Sequence, residues 1–185
     1  MAILDLLFPK RCLECKKEGK YICSSCLKKV KKNGWNSDWV YSIWKNEGVI
    51  RKAISALKYK YSTEVARELV EISAKRLKRD GFDLEDMTLV PIPLHWYKRN
   101  LRGFNQSELI GKELAKEMGW KFVPDLLLSK NKEGVFELNP KYINKIPLQA
   151  ILFDDVLVTG STLLEASREL KIGGAERMLC LTIAK

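Results

Sequence analysis

The spacing of hydrophobic residues along this chain alternates between the helical and the strand type. Apolar residues recur every three or four positions over residues 49–57 and 64–77, which predicts two amphipathic helices. Short, continuous apolar runs predict buried strands. The predicted strands lie at residues 39–44, 89–92, 121–123, 149–153 and 177–183.

Capping residues predict where two further helices begin and end. Asn105 with Glu108 three residues later, and Thr162 with Glu165, each have the spacing of a capping box. They predict helices over 105–118 and 162–171, the second ending at the left-handed C-cap expected of Gly173-Gly174. The Lys-rich residues 24–32 are interpreted as a helix or a linker.

This alternation of strands and helices predicts an α/β fold with a parallel sheet covered by helices on both faces. The Asn33-Gly34 turn divides a small module, residues 1–34, from an α/β domain, residues 35–185. Residues 128–147 are polar and lack a regular pattern, so they are either a functional loop or a wrong assignment of structure.

Composition narrows the class of protein. Of the 185 residues, 46% are hydrophobic, which excludes a wholly disordered chain. The net charge of +10 is uneven, because residues 1–34 hold nine Lys/Arg against three Asp/Glu. No apolar run reaches the roughly 18 residues of a membrane span, and the start does not resemble a signal peptide. We therefore expect a cytoplasmic protein without a membrane span, in which thiols stay reduced.

Four of the five cysteines form two close pairs. Cys12 and Cys15 are separated by two residues, as are Cys23 and Cys26, and seven residues lie between the pairs. This spacing predicts a tetrahedral zinc site, structural because four thiolates leave no open position. The alternatives are two reversible disulfides or four thiols without a ligand. Cys180 lies in an apolar run and is predicted to be a buried strand residue.

A second chemical motif follows the predicted strand at 149–153. Two carboxylates, Asp154 and Asp155, come at its end, and a Thr-Gly-Ser-Thr turn then opens a helix. Backbone amides at a helix N-terminus attract phosphate, and paired carboxylates accept hydrogen bonds from a diol. The pattern predicts a sugar-phosphate site, against the alternative of an ordinary turn with solvated acids. Its residues are Asp154, Asp155, Val156, Val158, Thr159, Gly160, Ser161 and Thr162.

This segment resembles the phosphoribosyl-pyrophosphate (PRPP) signature of type I phosphoribosyltransferases. The strand Val90-Pro91-Ile92-Pro93-Leu94-His95, the basic residues after it and Arg102-Gly103-Phe104-Asn105-Gln106 resemble the ComF family of competence-associated proteins. The four cysteines and Leu57-Lys58-Tyr59 fit the same family. Two departures are Lys60-Tyr61-Ser62, where a glycine is often found, and residues 134–146, which are short and poor in arginine.

The resemblance implies a type I phosphoribosyltransferase-like parallel sheet flanked by helices, with the small N-terminal zinc module attached. It also implies binding of PRPP with Mg²⁺ and transfer of phosphoribose with loss of pyrophosphate. Lys98, Arg99 and Arg102 are the candidate catalytic cations that would stabilise the pyrophosphate, with Lys58 a weaker candidate. Mg²⁺ is expected mainly on the oxygens of the substrate. His95 is interpreted as a hydrogen-bonding residue rather than a general acid or base.

The family also implies a role in natural competence or DNA uptake. One hypothesis is an active transferase, whose acceptor the residues do not identify. Another is a non-catalytic protein on the same fold that binds a phosphoribosyl ligand or single-stranded DNA, with a competence helicase as partner. A transcriptional regulator that senses PRPP is a third. The basic zinc module suits a phosphate backbone or an acidic protein, or is a solvated face that steadies the thiolates.

Overall fold

A six-stranded, mostly parallel sheet forms the centre of the protein. This computed structural model describes residues 9–59, 63–82, 84–131 and 134–185. The sheet order is β1-β2-β8-β7-β3-β4, and only β1 runs antiparallel to its neighbour, while β5 and β6 form a separate hairpin. The strands are β1 (Trp35–Ser37), β2 (Val40–Trp44), β3 (Thr88–Pro91), β4 (Lys121–Phe122), β5 (Leu127–Ser129), β6 (Phe136–Leu138), β7 (Gln149–Val156) and β8 (Arg177–Ala184).

Helices cover both faces of this sheet, because alternate residues of its central strands are apolar on both sides. The helices are α1 (Ser24–Leu27), α2 (Gly48–Tyr59), α3 (Thr63–Arg79), α4 (Trp96–Arg102), α5 (Gln106–Met118) and α6 (Ser161–Ile172). Ile151 and Phe153 of β7 join the hydrophobic cluster under α2, α3 and α5, while Ala150 and Leu152 join the cluster under α6 and the hairpin. The predicted α/β class with a parallel sheet is confirmed.

Two predicted element types differ from the structure. Residues 128–147 are not simply irregular, since they contain most of the β5–β6 hairpin and a 3-10 turn, Pro140–Tyr142. The basic segment after His95 is the short helix α4 rather than a loop. The hydrophobic pattern does not predict this helix, because none of its residues is buried. Its ends are set by local caps: His95 Nδ1 accepts from the Tyr97 N–H at the start, and Gly103 at φ 78° ends the helix.

One capping prediction is confirmed and one is wrong. Asn105 caps α5, its Oδ1 accepting from the Ser107 N–H at 3.1 Å. The N-cap of α6 is Gly160 rather than Thr162, and no side chain caps that helix. Gly160 adopts φ 82°, a left-handed conformation, and as N-cap it starts the helix at Ser161, two residues earlier than a Thr162 N-cap would. At the other end the left-handed residue is Gly174, because Gly173 keeps helical angles.

The cysteine module is docked against the α/β domain. Cys12, Ile22, Cys26 and Val30 belong to the same buried cluster as the residues of α2 and α3. The backbone N–H of Ile22 donates to Glu68 of α3 at 2.9 Å. Ion pairs Lys10–Glu64 and Lys52–Glu14 add to this contact.

Two segments considered above lie outside the described residues: the start at residues 1–8 and the family departure at Lys60-Tyr61-Ser62. Among the helices that the structure describes, none has the length and apolar character needed to span a bilayer.

Candidate functional site

The site lies at the carboxyl edge of the sheet, where β3 and β7 end side by side. Because the strands are parallel, the loops that follow them meet at one edge. Asp154 and Asp155 are near the end of β7, longer than the predicted strand, and α5 begins opposite them. Ser107 of α5 donates its hydroxyl to Asp154 Oδ1 at 2.7 Å, and the Asp155 N–H donates to the same oxygen at 2.9 Å.

Asp155 is held from the opposite side by Lys58. The Lys58 Nζ lies 3.0 Å from Asp155 Oδ2, and both side chains are largely buried. This is an ionic contact rather than an aligned hydrogen bond, so Oδ2 keeps its capacity to accept one. The lysine therefore balances part of the negative charge of the acidic pair.

Two adjacent carboxylates in a poorly solvated position cannot both ionise easily. Burial, followed by the charge of Asp155, raises the pKa of Asp154 to about 7, against the opposing effects of Ser107, the Asp155 N–H and Lys58. At neutral pH Asp154 is therefore divided between its acid and its carboxylate.

This raised pKa has a consequence for stability. The folded protein holds the Asp154 proton more tightly than the unfolded chain, whose aspartate has a pKa near 3.8. The stabilisation from this group is complete below about pH 4 and is lost as the pH rises through about 7. Asp154→Asn should therefore be more stable than the parent by about 4 kcal/mol at pH 8, and by less than half of that at pH 5.

Urea unfolding at pH 5 and pH 8 measures this difference. The matched control is Glu117→Gln, which removes an exposed carboxylate of α5. It should change the stability by less than about 0.5 kcal/mol at either pH. An Asp154→Asn protein with the same stability difference at both pH values would contradict the assignment of the pKa shift.

The predicted phosphate loop follows the acids directly. Leu157–Gly160 is described without helix or strand structure, and α6 then starts at Ser161, whose N–H donates to Thr159 Oγ1 at 3.4 Å. The hydroxyls of Thr159 and Ser161 lie 2.9 Å apart. The loop borders a cleft of about 510 Å³ with Arg51 and Lys58 of α2 on its other wall. The predicted residues that line this cleft are Asp154, Asp155, Val156, Val158, Thr159, Gly160 and Thr162, while Ser161 faces a neighbouring surface.

A second cavity, of about 210 Å³, lies on the other side of the acidic pair. Asp154, Asp155 and Thr162 line both spaces. Lys98 and Arg102 line the second cavity, but Arg99 does not, and its Nη2 lies 3.6 Å from Glu108. The structure thus brings two of the three predicted cations to the acids.

Several residues of the site were not singled out by sequence reasoning. Arg51 and Ser55 line the phosphate-loop cleft, and nothing in their local pattern distinguishes them from a solvated helix face. Gln106 and Ser107 follow the helix cap Asn105, and Gln106 belonged to the motif quoted above. Their proximity to Asp154 depends on how α5 packs on β7, which only the fold shows.

The four paired cysteines form a cluster suited to zinc. Their sulfur atoms all lie within 4.8 Å of one another, and those of Cys15 and Cys23 are 3.7 Å apart. Four sulfurs about 2.3 Å from a tetrahedral Zn²⁺ would be about 3.8 Å apart, so the residues fit this ion. Burial would raise the pKa of Cys12, but backbone N–H groups lower it to about 6, whereas burial and the other thiols raise the pKa of Cys26 to about 12. A cation would favour the thiolate form of all four.

Comparison with known proteins identifies a relative. The chain is 29% identical to competence protein F of Haemophilus influenzae, over 52% of this chain and 49% of that protein. This confirms the resemblance to the ComF family, although the chain spans about half the length of the curated relative. No protein-family model matches the chain.

Two solved structures also align with this chain. One is a hypoxanthine-guanine phosphoribosyltransferase from Bacillus anthracis, with 15% identity, coverage of 65% of this chain and 66% of that one, and a TM-score of 0.41. The other is a hypoxanthine phosphoribosyltransferase from Staphylococcus aureus, with 14% identity, coverage of 70% and 69%, and a TM-score of 0.41.

Proposed function

We propose that the protein binds PRPP with Mg²⁺ and transfers its phosphoribosyl group to an acceptor with loss of pyrophosphate. One observation supports this proposal: two spaces with different chemistry meet at the acidic pair Asp154 and Asp155. One space has the uncapped start of α6 and the cations of α2, and the other has Lys98 and Arg102. A ligand with a phosphate, a diol and a pyrophosphate matches these three environments in order.

In this arrangement each part of the ligand has a separate set of partners. The 5-phosphate binds the Thr159–Thr162 turn, where helix amides and hydroxyls donate to its oxygens. The ribose hydroxyls donate to Asp154 and Asp155, whose Oδ2 atom retains accepting capacity. The pyrophosphate lies against Lys98 and Arg102. The acceptor binds on the remaining side of the ribose C1, and its chemical class stays open.

The reaction replaces one bond at the ribose C1 by another. The C1–O bond to pyrophosphate breaks, the electron pair leaves with the pyrophosphate, and the acceptor forms the new bond to C1. Lys98 and Arg102 stabilise the leaving charge, while the acidic pair holds the ribose in place. Mg²⁺ supplies further neutralisation of the pyrophosphate oxygens. It fits as a ligand-held ion, because Asp154 and Asp155 already contact Ser107 and Lys58.

Calorimetry of PRPP with Mg²⁺ tests the proposal. We expect saturable binding by the parent protein and about a 100-fold loss of affinity in Lys98→Ala/Arg102→Ala, because two charge contacts to the pyrophosphate disappear. Ribose 5-phosphate, which lacks the pyrophosphate, should bind both proteins within about threefold. The control Lys112→Ala/Lys116→Ala removes two exposed charges of α5. Parent protein that binds no PRPP would overturn the proposed function.

The alternative on the same fold is a protein that binds the phosphoribosyl ligand without turnover. Release of pyrophosphate in the presence of candidate acceptors separates the two.

The likeness to competence protein F supports a further proposal, that the protein acts in natural competence or DNA uptake. Exposed lysines of the cysteine module would suit single-stranded DNA, since none of them is in an ion pair within the described part of the chain. They are Lys16, Lys17, Lys20, Lys28 and Lys29.

A further inference from the structure

Gln106 is the first residue of α5 and lines the cavity that holds Lys98 and Arg102. Its side chain is buried, with 2% of its surface exposed. Its Oε1 accepts a hydrogen bond from Arg102 Nη1 at 2.9 Å. Its Nε2 is also buried, and no partner for it exists among the described residues. A buried amide with both hydrogens unused is uncommon in a folded protein and calls for an acceptor.

The amide of Gln106 cannot turn to satisfy itself. Arg102 has only donors, so the oxygen of the amide must face the guanidinium and the nitrogen must face away from it. The residues on either side are also anchored. Asn105 Nδ2 donates to the Ile92 carbonyl at 2.9 Å, and Ser107 Oγ donates to Asp154. The start of α5 is thereby attached to β7 and to Ile92, the residue that follows β3, and the unused nitrogen is held in place.

The other polar groups of this cavity beyond the acidic pair include several donors. His95 Nδ1 accepts from the Tyr97 N–H, so the neutral ring carries its hydrogen on Nε2. Lys98 and Arg102 are cations, and the N-terminus of α5 adds the positive end of a 13-residue helix. A cavity with this many donors suits a ligand group with many oxygen acceptors and negative charge.

We infer that Gln106 determines specificity for the pyrophosphate group: its Nε2 donates to a pyrophosphate oxygen while its Oε1 positions Arg102. This inference rests on the proposed function and adds a residue to it. This role differs from one in which Gln106 only positions Arg102, because that role needs only the Oε1 atom. Gln106→Glu tests whether the donor is needed, and Gln106→Met in an Arg102→Met background separates direct donation from action through Arg102 alone.

Gln106→Glu has nearly the same shape and keeps an oxygen for Arg102, but it replaces the donor by a second oxygen. If Nε2 binds the ligand, we expect PRPP and Mg²⁺-pyrophosphate to bind at least about 30-fold more weakly, since a donor becomes a repelling acceptor. Ribose 5-phosphate should bind within about threefold of the parent. Gln106→Glu protein that binds PRPP as tightly as the parent or more tightly would overturn the inference.

A second variant tests the same inference if the glutamate disturbs folding. Gln106→Met fills a similar volume without donor or acceptor and is measured alone and in an Arg102→Met background. Action only through Arg102 predicts no further loss of PRPP affinity in that background, whereas direct donation predicts a further loss of about fivefold or more. Parent protein that binds neither PRPP nor ribose 5-phosphate would overturn the proposed function itself. Normal PRPP binding by parent and Gln106→Glu alike would overturn only the role of Gln106.

Discussion

Replacing Asp154 and Asp155 together with asparagine is expected to lower PRPP affinity by about 10²- to 10⁴-fold. Each carboxylate would accept a charge-assisted hydrogen bond from a ribose hydroxyl, worth about 1.5–3 kcal/mol. An amide accepts a weaker bond and has half of its acceptor capacity replaced by donors. The loss of two negative charges also leaves Lys58 without the partner it has in the structure. Calorimetry with PRPP and Mg²⁺ measures the change.

The comparison requires a protein that has lost the same charge elsewhere. Glu117→Gln/Glu176→Gln removes two exposed carboxylates away from both spaces of the site. It should bind PRPP within about twofold of the parent. A folded Asp154→Asn/Asp155→Asn protein that binds PRPP as tightly as this control would remove the ribose-binding role from the acidic pair. If the protein acts in DNA uptake as proposed, cells that carry this variant in place of the parent should also lose DNA uptake.

Loss of zinc is the second change with a large expected effect. Cys26→Ser should reduce the zinc content from about one ion per chain to far less, since three thiolates bind the ion much more weakly than four. Cys12 and Cys26 are buried in the cluster shared with α2 and α3, so the damage should reach the α/β domain. We expect the protein to lose at least about 3 kcal/mol of stability, or about 6–12 °C in Tm. Metal analysis and thermal unfolding measure both quantities.

Cys180→Ala is the matched control, because it removes a buried thiol from β8 and leaves the four ligands intact. Its zinc content should equal that of the parent, even if the small cavity lowers its Tm by a few degrees. Excess chelator should reproduce the effect of Cys26→Ser in the parent protein. A parent protein purified without zinc and stable in chelator would contradict the structural role of the metal.

Local sequence patterns were sufficient for the parts of this protein whose structure depends on neighbouring residues. The strand and turn around Asp154–Thr162 followed from an apolar run, two acids and a glycine. The zinc site was likewise predictable from the cysteine spacing, since two residues between the thiols of each pair allow both to face one ion. Asn105 as a helix cap was predictable because the capping oxygen and the amide it accepts from are two residues apart.

Contacts between distant segments were not accessible in the same way. Lys58 contacts Asp155, 97 positions later, and Ser107 contacts Asp154, 47 positions later, so no local spacing predicts either contact. The hairpin within residues 128–147 was missed because its strands are only three residues long. Helix α4 was missed because it buries no apolar face. Only the fold shows that Lys98 and Arg102 line the second cavity, whereas Arg99 lies outside it near Glu108.

The position of β8 in the sheet has a consequence for how the chain folds. β8 (residues 177–184) lies between β2 and β7, and its Thr182 hydroxyl contacts Ser42, 140 positions earlier. Until this late segment leaves the ribosome, β2 and β7 have no shared neighbour and the sheet stays in two unjoined parts. The closing step depends on contacts of high sequence separation, which slows folding. During synthesis the apolar edges of both parts are therefore open to wrong pairing until the last strand enters.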